Sequence, residues 1–335
     1  LQDPPAIKEG WRVLEANVQP TPIGIADFED VKGHAMARRV LEIAAAGHHS
    51  VLMVGPPGSG KSMLAARFAG LLPPMTHDES LSSASVTSLC GSFDSAQFGQ
   101  RPTCAPHHTA SAAALVGGGV PPQPGEISLA HHGVLFLDEF PEFSRRALEA
   151  LREPLETGEI RISRARYQVT YPARFQLIAA MNPCPCGYLG HPTQLCTDTP
   201  TQVARYQGRL SGPLLDRIDL HVSVQSVPYL SLMQAQRGES TAVVRTRVAA
   251  AFERAIERQG SHNASLAGER LTQHATLDDA GTQFLQAIAA RLNWSARRLH
   301  RVLRVARTIA DLGDSAGIMP AHLGEAVQYQ RVLQA

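Results

Sequence analysis

The run Gly55-Pro56-Pro57-Gly58-Ser59-Gly60-Lys61-Ser62 has the spacing G-x-x-x-x-G-K-S, and each residue type in it has a chemical use. Glycines let successive backbone N–H groups turn inward around phosphate oxygens, and the start of a following helix adds partial positive charge there. Lys61 is the cation for β- and γ-phosphates, and Ser62 is the hydroxyl for a magnesium ion. Asp138 and Glu139 form a second group, two carboxylates closing the apolar run Val134-Leu135-Phe136-Leu137. In-line phosphoryl transfer needs one acid to hold the magnesium shell and one to orient and polarise the attacking water. Asp138 suits the first role and Glu139 the second. Asn182, which ends the apolar run 175–181, is a polar group able to hold that water or the γ-phosphate.

Other residues offer weaker signals. Cys184, Cys186 and Cys196 lie close enough in sequence to suggest zinc, but a closed structural site wants four ligands, so Asp198 or His191 would have to complete it. Arg161, Arg164, Arg166 and Arg174 follow one another with no acid between them, across a stretch that reads as a β-hairpin turning near 163–165. That hairpin is either a plain solvated one or a loop offering arginines to a phosphate backbone. Arg217 precedes a strand and has two options: a cis ion pair with Asp216 or Asp219, or the γ-phosphate of a neighbouring subunit. In 297–304 basic residues sit near a helix start, against its dipole, where something anionic should offset them; a nucleotide phosphate is the natural candidate. Adjacent histidines occur at His48-His49, His107-His108 and His131-His132. Neighbouring side chains diverge on strand and helix alike, so packing and hydrogen bonding explain these pairs better than a metal.

The elements that must position these groups follow from periodicity. Residues 51–54 read as a buried strand running into the phosphate loop, and 61–68 as a helix with Leu64, Ala65 and Phe68 on one face. A helix over 34–46 precedes that strand. Residues 134–139 and 175–181 give two more buried strands, and 220–224 another, while 145–156 reads as a helix. A parallel sheet presents such strand ends along one edge, where a nucleotide sits. The interval from Lys61 to Asp138 is longer than one crossover needs, and 93–125, with its Ala- and Gly-rich tip, reads as an inserted excursion. From residue 240 onward helical spacing takes over at 243–258, 280–292, 295–312 and 320–333. Ser295 suits an N-cap, and Pro320 suits a first helical turn.

The whole chain bounds these readings. Its 335 residues suffice for about two domains, and 31 basic residues against 30 acidic leave a net charge of +1, so any nucleic-acid contact must be local. No apolar run approaches the ~18 residues that a membrane helix needs, and the first residues lack the basic-then-apolar pattern expected of a signal peptide. A cytoplasmic protein is expected. Five cysteines, unevenly spread, argue against a secreted disulfide framework. Residues 1–24, proline-rich and aperiodic, read as a linker or docking arm. The chain opens on Leu1 rather than Met and reads as a piece of something longer.

Taken in order, GPPGSGKS, APHHTASAAALVGGG, PGEISLAHHGVLFLDEFPEF, ARFQLIAAMNPCPCGYLG, RLSGPLLDRIDLHV and SARRLHRVLRVARTIADL closely resemble the Mg-chelatase-like AAA+ ATPases known as ComM or YifB. The resemblance runs from about Asp27 to the C-terminus. It implies an α/β AAA+ phosphate-loop module, an αβα sandwich on a parallel sheet, over 25–227, followed by a pre-sensor-2 insert and all-α lid over 228–335. It assigns 93–125 to the helix-2 insert and 158–172 to the pre-sensor-1 hairpin, both facing a central pore. Asn182 becomes sensor 1, Arg217 the arginine finger supplied in trans, and Arg297 sensor 2 at the nucleotide. Arg161, Arg164 and Arg166 become the DNA contacts. The implied cofactors are ATP and Mg2+, the implied partners DNA and further copies of the chain in a hexamer. Relatives usually carry a preceding domain resembling the Lon protease fold, and a fourth cysteine where this chain has Asp198.

The leading functional expectation is thus an ATP-driven hexameric DNA translocase or branch-migration helicase of natural transformation. The motor subunit of a metal chelatase is the second enzyme reading, needing a partner subunit and no DNA. A nucleotide-gated scaffold or MoxR-like ATPase that remodels proteins is the third. Glu139 and Arg217 argue against an inert scaffold, which has no need to orient water.

Overall fold

The computed structural model describes residues 26–164, 167–227 and 237–330, with the backbone alone described at Arg164. A short 3-10 turn, Phe28–Asp30, is capped by the Asp27 carboxylate, which accepts the Glu29 N–H. It leads to α1 (Ala35–Gly47), whose alanine-, leucine- and isoleucine-rich half is fully buried. Strand β1 (Val51–Val54) is buried at all four residues. The phosphate loop follows, then α2 (Lys61–Phe68) and α3 (His77–Leu89). A capping box starts α3: Thr76 accepts from Glu79 N, and the Glu79 carboxylate accepts from Thr76 N.

Next come β2 (Thr103–Cys104), α4 (Ala112–Val116), a small hairpin of β3 (Gly117–Gly118) and β4 (Gln123–Pro124), and α5 (Glu126–Leu129). Strand β5 (Val134–Leu137) is followed by α6 (Arg145–Ala150) and α7 (Arg152–Thr157). The hairpin β6 (Glu159–Arg164) and β7 (Tyr167–Pro172) precedes β8 (Gln176–Met181), and α8 (Pro200–Gln207) and α9 (Gly212–Leu215) precede β9 (Leu220–Ser223). The C-terminal part is helical: α10 (Thr241–Gln259), α11 (Gly268–His274), α12 (Asp279–Leu292), α13 (Ala296–Leu312) and α14 (Pro320–Gln328). Ser295 caps α13 by accepting Arg298 N–H, and Pro320 occupies the first turn of α14.

The main sheet is five-stranded and parallel, in the order β2-β5-β8-β1-β9. Alternating residues of β1 face opposite sides. Val51 and Met53 join a core with α1, α2 and the C-terminal helices, where Val244, Val248, Val302, Val305 and Ile309 are buried. Leu52 and Val54 join a second core with β5, β8, α4 and the β6–β7 hairpin. Each fully buried aliphatic side chain here contributes roughly 1.5–3 kcal/mol. The register pairs Val54 with Met181 and with Ser223, so the carboxyl ends of the central strands share one edge. A parallel αβα module followed by a helical region is the fold class the sequence implies.

Two local differences from the sequence reading have physical causes. Segment 93–125 contains β2, which pairs with Val134 and Leu135 in the main sheet; the excursion beyond the sheet therefore begins after β2. A strand of Thr and Cys, two residues long, offers no apolar run to read. The helix expected over 145–156 is broken at Leu151 into α6 and α7. The C-terminal helices pack on the α1 face of the sheet, continuous with its core.

Candidate active site

The phosphate loop joins the end of β1 to α2, and its backbone explains its glycines. Gly58 and Gly60 have φ of +72° and +87°, where a side chain is strained. A side chain on Gly55 would run into the Val224 carbonyl of the neighbouring strand end. Together with Pro56, Pro57 and the buried Ser59, they shape a loop around the Lys61 ammonium. Lys61 Nζ donates to the carbonyls of Gly55 at 2.7 Å and Pro56 at 2.9 Å, and to Asn182 Oδ1 at 3.2 Å. Burial lowers the Lys61 pKa from its ordinary value, and the Asp138 charge works the other way.

Ser62 Oγ donates to Asp138 Oδ2 at 2.6 Å, bringing together the two groups expected to hold magnesium. Glu139 follows in a left-handed backbone conformation, φ 50°, uncommon outside glycine and found where a fold holds a functional group under strain. These residues, with Asn182, line one cavity of about 600 Å³ at the sheet edge. Its far wall is His107 and His108, on the loop after β2. His108 Nδ1 lies 2.6 Å from Glu139 Oε2. That contact was not anticipated. The only signal was the His-His pair itself, and its connection to Glu139 depends on β2 lying in the sheet.

The other histidine pairs hydrogen-bond as expected. His49 joins Asp219 at 3.0 Å and Thr308 at 2.8 Å, and His131 joins Ser82 and the Arg174 N–H, each at 3.0 Å.

The arginines close one of the two options that the sequence left for Arg217. Asp216 is taken by Arg301 at 3.0 Å, and Asp219 by Arg304 at 3.2 Å and by His49, so neither forms the cis pair considered for Arg217. Arg217 instead donates to Glu156 and to the Pro213 carbonyl. Its hydrogen bond, followed more weakly by the nearby charge of Arg297, lowers the Glu156 pKa. Arg297 lies near enough to Glu156 for its charge to act on that carboxylate. Arg301, almost wholly buried, fixes the Arg217 loop by donating to the carbonyls of Leu215 and Ile218 as well as to Asp216.

In the β6–β7 hairpin Ile160, Ile162 and Tyr171 are buried, while Arg161 faces outward, 3.7 Å from Glu159. Arg164 pairs its backbone with Tyr167, and Arg166 lies outside the described residues. Tyr171 Oη donates to the Pro122 carbonyl at 2.7 Å, tying this hairpin to the β3–β4 excursion. Cys184, Cys186, Cys196 and Asp198 converge just after Asn182, with all four candidate ligand atoms within 4.8 Å of one another. His191 stands apart, accepting the N–H groups of Thr193 and Gln194.

Residues 27–232 match the family described as magnesium chelatase, subunit ChlI, and residues 238–330 match its C-terminal region. Competence protein ComM of Haemophilus influenzae is 50% identical over 325 residues, 96% of this chain and 63% of that one. The chain belongs to the Mg-chelatase-like AAA+ ATPases of the ComM and YifB family. YifB proteins of Salmonella typhimurium and Escherichia coli are each 48% identical over 99% of this chain and 66% of theirs, so the chain spans about two thirds of the length of these relatives. The magnesium-chelatase 67 kDa subunit of Chlorobaculum tepidum is more distant, 27% identical over 47% of this chain. Membership of this AAA+ family implies ATP and Mg2+, and the donors fit: a serine hydroxyl and a carboxylate in contact, beside a buried ammonium and positive-φ glycines.

Proposed function

We propose that this chain is the ATP-hydrolysing module of a ring-forming DNA translocase or helicase that promotes branch migration, as in bacterial natural transformation. Hydrolysis is carried by one observation, the convergence of Lys61, Ser62, Asp138, Glu139 and Asn182 on a single cavity. Ser62 and Asp138 would hold Mg2+, which supplies charge neutralisation to the phosphates when bound. Lys61 offsets charge on the β- and γ-phosphates, Asn182 holds the γ-phosphate or the water, and Glu139 orients that water and accepts its proton.

Arg217 acts in trans in this reading, on the nucleotide of the next subunit of a hexamer. Its support is that the acids beside it in sequence are engaged elsewhere, while its partner Glu156 is a surface carboxylate that a phosphate can replace. Arg297, whose charge reaches the same carboxylate, would act as sensor 2 at the nucleotide. Natural transformation is supported by the name of the relative, competence protein ComM, and DNA contact by the outward Arg161 on a hairpin whose other face is buried. Zinc is the proposed metal of the thiol cluster. The cytoplasm is the proposed location; among the described residues no helix is long and apolar enough to cross a membrane.

Replacing Arg161, Arg164 and Arg166 together by alanine tests the DNA reading. Basal ATP hydrolysis is expected to persist and DNA stimulation to vanish; stimulation that survives contradicts the hairpin assignment. The family match and the Chlorobaculum relative favour a second reading, the motor subunit of a metal chelatase, which would hydrolyse ATP without regard to DNA. A MoxR-like protein-remodelling ATPase would do the same.

A further inference from the structure

We propose that Cys184, Cys186, Cys196 and Asp198 bind a single zinc ion as three thiolates and one carboxylate, and that this clip holds Asn182 against the phosphate loop. The sulfurs form a nearly equilateral triangle: Cys184 to Cys186 3.4 Å, Cys186 to Cys196 3.4 Å, Cys184 to Cys196 3.6 Å. A tetrahedral zinc with bonds of about 2.3 Å places its sulfurs about 3.8 Å apart, so this triangle is close to one face of such a site. A disulfide needs about 2.05 Å and pairs only two sulfurs. Asp198 supplies the fourth corner. Its Oδ2 lies 3.9 Å from Cys196 Sγ and accepts the Cys186 N–H at 2.8 Å, which fixes the carboxylate toward the thiols. Cys184 is buried, and the other three ligands are half-buried. On binding, three thiol protons leave to solvent and the charge of the site goes from −1 to −2, with no redox change.

The clip lies where it can act on the catalytic cavity. Asn182 and Pro183 are all that separate β8 from Cys184. Gln207 of α8 donates to the Pro183 carbonyl at 2.8 Å, and Gly187, inside the cysteine loop, abuts Pro57 of the phosphate loop so closely that an added side chain would strike its ring. A metal that fixes 184–198 therefore fixes both Asn182 and one wall of the phosphate loop. The metal site stands on the donor geometry alone, and its effect on hydrolysis rests on the nucleotide reading above.

The test starts with the full chain purified without chelator from zinc-supplemented cells. About one zinc per chain is expected by elemental analysis. Cys90→Ser, outside the cluster, should keep it, Cys196→Ser should lose it, Asp198→Ala should weaken it, and Asp198→Cys should tighten it. Cobalt added to the stripped chain should give the visible absorption of a tetrahedral thiolate site. A chain with less than about a tenth of an equivalent of zinc and no cobalt spectrum overturns the site. For the second half, stripping is expected to lower kcat about tenfold while nucleotide affinity changes little, with zinc restoring the rate. Full zinc occupancy with a kcat indifferent to stripping contradicts the positioning role. Absence of any hydrolysis in the zinc-loaded chain counts against the nucleotide reading, and the metal count is unaffected by it.

Discussion

Glu139 Oε2 is held 2.6 Å from His108 Nδ1, so the carboxylate proposed to orient the attacking water already has a partner. His108 belongs to the loop that leaves β2, and that strand pairs with β5, whose end carries Glu139. A carboxylate occupied by an imidazole is less free to polarise water. His108→Ala is therefore expected to raise basal ATP hydrolysis severalfold and leave nucleotide affinity nearly unchanged. A basal rate that drops to the level of Glu139→Gln would instead make His108 part of the catalytic apparatus.

Arg301 is the structural counterpart on the opposite side of the sheet. It spends its guanidinium on two carbonyls and Asp216, all in the loop that carries Arg217. Removing one partner from such a buried arrangement costs about 3 kcal/mol or more. Arg301→Ala should lower the thermal midpoint by several degrees, and Arg301→Lys should recover only part of it because a point charge cannot serve three acceptors. Equal stability in calorimetry would mean that the loop is held by something else.

Transfer of Arg217 between subunits predicts complementation. Arg217→Ala keeps its own pocket but lacks the finger, and Glu139→Gln keeps the finger but lacks the water-orienting acid. Each alone should be nearly inactive, and mixing them should restore a measurable fraction of hydrolysis. A mixture no faster than its components contradicts action in trans.

Several histidines are neutral in the fold. Burial pushes the pKa of His131 down to about 3 and those of His221 and His262 down to about 4, against an ordinary 6.5. For His131 the geometry agrees, since Nδ1 accepts the Arg174 N–H and loses that bond when protonated. Between pH 6.5 and 4 the unfolded chain thus binds more protons than the folded one, so stability is full above 6.5 and falls as pH drops. Asp219 adds a lower step: burial alone would raise its pKa, but Arg304 and the His49 hydrogen bond outweigh it and hold it at about 2, so its contribution is lost as pH falls from 3.8 toward 2. Melting temperatures across this range check the sign. A midpoint that rises on acidification from neutral pH would contradict it.

The parts legible in the sequence were those with local signatures. The phosphate loop, the run into Asp138 and Glu139, and the capped helix at Ser295 each declare themselves within a few residues, and each is found in the fold. What escaped depended on distant packing. Thr103–Cys104 is a strand only because Val134 and Leu135 pair with it, and His108 reaches Glu139 only through that pairing. The sequence left the acids flanking Arg217 as one of two options for it, and Arg301 and Arg304, more than eighty residues later, take them. The cysteine cluster was half legible: spacing suggested a metal, and only folding chose Asp198 over His191.

ATP hydrolysis measured with and without forked DNA, with Glu139→Gln as the control, tests the central claim most directly. The account predicts a basal rate that rises severalfold with DNA and falls about a hundredfold or more in the Glu139→Gln protein. Hydrolysis that depends on Glu139 yet ignores single-stranded and forked DNA alike would contradict the translocase and leave the chelatase or remodelling ATPase in its place.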